Sequence, residues 1–151
     1  MRLKGKNERG QSLFEVVLAL GVITAITVGI VALAASIIRN AGFSKNKTLA
    51  GRYSQEAVEW LRKERDNNFT LFSQNTQTPL WCFSSLSWSS VGACGSGSPI
   101  LGTILFRDVT FSDGSTSTKT IINASVRVYW TDSLGSHEVR NATSFSDWRQ
   151  R

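Results

Sequence analysis

With 151 residues, two Cys and one His, the chain suits one small domain plus an appendage and is too poor in thiols and imidazoles for a Cys/His metal centre. Seventeen Lys and Arg against eleven Asp and Glu give a formal net charge of +6, yet no basic run is interleaved with aromatics as a nucleic-acid surface would require. Neither an enzyme nor a cofactor is expected: His137 stands alone, the acids are scattered, and no Gly-rich phosphate loop occurs.

In chain order, the first feature is a basic leader with Arg2, Lys4, Lys6 and Arg9, and the second is Gly10-Gln11-Ser12-Leu13-Phe14-Glu15. An uncharged apolar run, 16–38, follows. At 1.5 Å per helical residue it spans about 34 Å, enough for the ~30 Å hydrocarbon core of a bilayer. Glu15 is the costly residue, because a carboxylate at the edge of an apolar layer needs a cation to meet it. The leader favours retention of the N-terminus in the cytoplasm, an N-in, C-out topology, although Arg39, Lys45, Lys47 and Arg52 reduce the asymmetry.

This segment resembles the class III signal and helix start of type IV pilins and the pseudopilins of type II secretion. The resemblance rests on a short basic leader ending in Gly10 and on Glu15 as the fifth residue after it, at the head of an apolar helix. It implies that a prepilin peptidase cuts between Gly10 and Gln11 and methylates the Gln11 amine. It implies also that Glu15 pairs with the N-terminal amine of a neighbouring subunit. The partners implied are other pilin or pseudopilin subunits and an inner-membrane assembly platform; the product would be a filament at the cell envelope or surface. Gln11 departs from the apolar residue most common at this position, which bears on methylation more than on cleavage.

Other readings of the same residues stay open. A single-pass anchor with Glu15 at the interface fits the length and the basic flank, and it would carry an extracellular binding module that does not polymerise. A DNA-binding tip subunit of an uptake pilus is the third reading.

Ser12 predicts the helix N-cap, with Glu15 as its capping-box partner. Gly21, Thr24, Thr27 and Gly29 are weak helix formers inside the apolar run, and Asn40-Ala41-Gly42 predicts a break or bend. Beyond it, Leu49, Tyr53, Ala57, Trp60, Leu61 and Glu64 recur at helical spacing, predicting an amphipathic helix that ends near Asp66-Asn67-Asn68.

The segment 69–100 is rich in Ser, Thr, Asn, Gln and Gly and reads as a long connection with little regular structure. Cys82 and Cys94 lie within it. Expected outside the cytoplasm, they predict a disulfide stapling this loop, whereas many pilins place theirs in a C-terminal loop. Trp81, Phe83 and Trp88 are expected to pack over a sheet edge, with an exposed contact patch as the alternative.

The last third alternates. Ile122, Ala124, Val126, Val128 and Trp130 share one face of a strand, flanked by strands over 103–111 and 137–145 with turns at Ser112-Asp113-Gly114 and Asp132-Ser133-Leu134-Gly135. Three or four antiparallel strands are expected. The ending Asp147-Trp148-Arg149 is similar to that of the smaller pseudopilins. The fold class is therefore α+β: a long N-terminal membrane-spanning helix whose second half packs on a small C-terminal antiparallel sheet, as in type IV pilins. The divisions are a leader over 1–10, a transmembrane helix over 11–38, its amphipathic continuation over 39–68, the disulfide loop over 69–100 and the sheet over 101–151.

Overall fold

The computed structural model of the chain describes residues 9–117 and 120–147, without the side chains of 9–12. Arg2, Lys4 and Lys6 of the leader and Trp148 and Arg149 of the terminal motif lie outside the described residues. The chain is α+β, with one long helix and a four-stranded antiparallel sheet.

Helix α1 covers Arg9–Asn67. Ser12 therefore lies inside the helix, three residues after Arg9, and not at its N-terminal boundary. The helix also runs unbroken through Asn40-Ala41-Gly42. No proline interrupts the ladder there, and the single-residue cost of Gly42, about 1 kcal/mol, is too small to stop a helix with good formers on both sides. The chain divides into two units, Met1–Phe43 and Ser44–Arg151, so α1 contributes to both.

Unit 2 contains all the buried core. On α1, Ala57 and Leu61 are fully buried and Val58 nearly so. Asn67-Asn68 ends the helix: the Asn68 side chain accepts a hydrogen bond from the Leu71 N–H at 3.0 Å and starts α2, Phe69–Asn75. An Asn cap in an extended conformation turns the chain while satisfying the first orphan donors of the new helix. The expectation of an irregular 69–100 thus fails twice, at α2 and at β1, Leu80–Cys82. Both elements are too short to show a period.

The sheet has the order β1-β2-β3-β4, with β2 at Phe106–Asp113, β3 at Ile121–Asp132 and β4 at Gly135–Ser146. Strand β2 starts later than its β-forming residues suggested, because Ile100 to Leu105 close a turn in which Gly102 takes φ +75 and the Ile100 N–H bonds the Leu105 carbonyl. It also runs through Asp113, so the turn to β3 opens at Gly114. The β3–β4 hairpin is tight: Asp132 pairs with Gly135 across Ser133-Leu134, the Asp132 carboxylate accepts the Leu134 N–H, and Gly135 takes φ +120.

The inner face of the sheet carries Val109 and Phe111 of β2, the alternating Ile122 to Trp130 of β3, and Phe145 of β4. Of these, Val109, Phe111, Ile122, Ala124, Val126 and Phe145 pack with Ala57, Val58, Leu61 and Phe72 in one core. Trp88 joins it from the disulfide loop, its ring 5.2 Å from those of Trp60 and Trp81 and 5.4 Å from Phe83. Trp81 and Phe83 are buried, so of the three loop aromatics none forms an exposed patch.

Candidate functional site

The residues singled out by the sequence lie in two places. The first is the head of α1. Gly10 and Gln11 fall in its first turn, and Glu15 is exposed, with no ion-pair or hydrogen-bond partner among the described residues. From Leu13 to Ile38 the large apolar side chains are all exposed: Phe14 is 69% and Ile38 72% accessible. The best 18-residue window of this helix has a mean hydropathy of 2.7 and none of it is buried in the protein. That surface is long and apolar enough to span a membrane.

The two threonine hydroxyls within it, those of Thr24 and Thr27, are already satisfied. Thr24 Oγ1 donates to the carbonyls of Leu20 and Gly21 at 3.0 and 2.9 Å, and Thr27 Oγ1 to Ile23 at 2.8 Å. Thr therefore costs this helix little polar exposure in an apolar medium. Glu15 has no such internal solution, and the next charged residue along the chain, Arg39, lies about 36 Å away at helical rise.

The second place is the disulfide loop. Cys82 and Cys94 are bonded, with their Cα atoms 4.7 Å apart. Cys82 ends β1 opposite Asp108, and the enclosed loop folds back on β1: Ser90 accepts the Cys82 N–H at 2.9 Å, Gly92 donates to Leu80 at 2.8 Å, and Trp81 bridges Val91. Tyr129 anchors the other end by donating to the Cys94 carbonyl at 3.3 Å.

Two ionic groups that the sequence reading did not single out brace this region: Arg107 ties the loop and α1 to β2, and Asp108 with Arg127 ties β2 to β3. Arg107 is 2% exposed on the inner face. Its Nε donates to the Phe83 carbonyl at 2.9 Å, and its Nη1 to the Tyr53 carbonyl and to Glu56, both at 3.0 Å. Burial pulls its pKa down, and the bond to Glu56 opposes that shift. On the outer face, the 1%-exposed carboxylate of Asp108 takes two bonds from Arg127, at 3.0 and 2.6 Å. That bidentate grip raises the Arg127 pKa. The signal for Arg107 is its phase: it alternates with Leu105, Val109 and Phe111 at a position the pattern reserves for an apolar side chain.

Compared with known proteins, the chain matches no family model, no curated protein and no solved structure. Among the described residues no group of His, Cys, Asp and Glu is arranged to hold a metal ion.

Proposed function

We infer that this chain is a structural subunit of a type IV pilin-like or type II secretion pseudopilin-like filament, cut after Gly10 by a prepilin peptidase and assembled through α1. The observation that carries the reading is Glu15: a lone exposed carboxylate five residues after Gly10, at the head of a membrane-length apolar helix that nothing in its own fold covers. Such a helix requires an apolar environment, first lipid and then neighbouring helices. Such a carboxylate requires a cation, and cleavage after Gly10 would create one in the Gln11 amine of the next subunit. In the membrane the chain stands N-in and C-out, with unit 2 outside and its disulfide formed there.

The test is the mass of the N-terminal peptide from protein expressed with and without a prepilin peptidase. A chain beginning at Gln11, methylated or not, only when the peptidase is present supports the reading. Persistence of residues 1–10 in its presence overturns it.

One observation favours a second reading, an anchored binding module. Ile104, 52% accessible, lines one surface cleft with the stacked rings of Phe106 and Tyr129, 5.4 Å apart. A contact patch of this kind serves a filament head equally well, so the N-terminal mass separates the two.

A further inference from the structure

The two edges of the sheet are treated differently. The β1 edge is closed by the disulfide loop through Trp81 and Val91 and the backbone bonds of Cys82 and Gly92. Among the described residues the β4 edge is left open over Gly135–Ser146, since β3 is the only described strand beside it. An open edge presents unpaired backbone donors and acceptors, and it is normally blunted by proline, a bulge, a short strand or like charges. Strand β4 has none of these: it is 12 residues long, pairs with β3 in unbroken register, contains no proline, and carries only Glu138 and Arg140 as charges.

The tight hairpin decides which groups point outward. Asp132 and Gly135 close it as a mutually bonded pair, so Gly135, His137, Val139 and Asn141 turn their backbone toward β3. Ser136, Glu138, Arg140 and Ala142 turn theirs to the open side, and their side chains are exposed. Glu138 and Arg140 already bond each other at 2.7 Å, and the Arg140 guanidinium holds the Glu138 pKa below its ordinary value.

We propose that β4 is a self-complementary docking edge that pairs antiparallel with β4 of a second copy of this chain about a two-fold axis at Val139. Backbone parity requires outward residues to face outward residues, so the register moves only in steps of two. With Val139 opposite Val139, Glu138 lies opposite Arg140 of the second copy on both sides of the axis, and Ser136 lies opposite Ala142. One step either way sets Glu138 against Glu138 or Arg140 against Arg140, which directly opposed like charges disfavour. The strand's charges therefore select one partner and one register. The partner is the chain itself, because the axis repeats the same pair of opposite charges twice.

The proposal concerns unit 2 and does not depend on leader cleavage or polymerisation. The segment 44–151, which holds every buried core residue among the described ones, is the material for the test. Made with its disulfide intact, it should sediment as a dimer at high concentration, and Val139→Cys should give a disulfide-linked dimer on mild oxidation while Asn141→Cys does not. Glu138→Arg alone and Arg140→Glu alone should each be monomeric. Mixed one to one they should recover the dimer, because each then supplies the charge the other lacks; this recovery also shows that both variants fold. A monomeric segment at every soluble concentration, a Val139→Cys variant that fails to cross-link, or variants that do not recover on mixing would overturn it. So would a strand pairing with a different protein that leaves the segment monomeric alone.

Discussion

Arg107 and Arg127 are opposite cases of one physical rule. A buried charge tolerates neither water nor solitude, so what a substitution costs depends on which partner it leaves behind. Replacing Arg127 by Ala strands the Asp108 carboxylate at 1% exposure, whereas replacing Asp108 by Ala leaves a guanidinium that is one third exposed and can take water. Arg127→Ala should therefore lower the unfolding free energy of unit 2 by about 3 kcal/mol and Asp108→Ala by clearly less. Denaturant titrations of the two variants compare them directly. Arg107→Ala should cost about 3–5 kcal/mol, because the Phe83 and Tyr53 carbonyls lose their donor along with the charge. Glu56→Gln, at a half-exposed site, should cost at most about 1 kcal/mol. Equal losses in the last two would show that the ion pair, and not the Tyr53 carbonyl bond, fastens α1 to β2. None of these partners was legible in the sequence, since Tyr53 and Arg107 lie 54 positions apart and no local period links them.

At the scale of elements, legibility followed length and periodicity. Strand β3 alternates over its full 12 residues, and its core face was readable because one misplaced step would turn every Val and Ile to solvent. The second half of α1 was readable for the same reason at a period of 3.6. The seven-residue α2 and three-residue β1 were not, because they exist through the Asn68 cap and the pairing of Leu80 with Thr110. The Ser12 and Asn40-Ala41-Gly42 signals were read correctly as residues and wrongly as boundaries: helix continuation outweighs one weak position. The disulfide loop was legible as a loop whose aromatics pack over a sheet edge, and that this edge is β1 was not. Closing residues 82 to 94 removes about 3 kcal/mol of chain entropy from the unfolded state, so reduction should lower the stability of unit 2 by roughly that amount. Because this loop seals the β1 edge, reduction should also speed hydrogen exchange at the Cys82 and Gly92 amides before the amides of β3. Uniform exchange across the sheet after reduction would show that the loop does not protect its edge independently.

For unit 2 as a whole, acid should destabilise. The Leu134 N–H, with His137 and Trp130, holds the Asp132 carboxyl below its ordinary value; Ser115 does the same for Asp113, and Arg140 for Glu138. Folded values below unfolded ones mean that these groups contribute fully above pH about 4.5 and lose that contribution as pH falls through the folded values. Melting temperature should therefore drop between pH about 5 and 3, and Asp132→Asn should flatten that drop; an unchanged acid limb would remove the hairpin turn from the account.

On the proposed filament function the decisive residue for the whole chain is Glu15, whose surroundings would change on assembly. In a lipid-embedded precursor it would lie at the edge of the apolar helix, within reach of water at the membrane surface. Among packed helices it would lose that water, and an amine released by cleavage after Gly10 would become its counterpart. Leaving that amine unpaired in an apolar bundle costs ~3 kcal/mol or more. Glu15→Ala should thus leave membrane insertion and leader cleavage intact and cut the amount recovered in sheared filaments by more than about tenfold, while Glu15→Asp, shorter but still anionic, should fall between. Wild-type filament content in Glu15→Ala would separate this carboxylate from assembly and leave the apolar surface of α1 as the only determinant of packing.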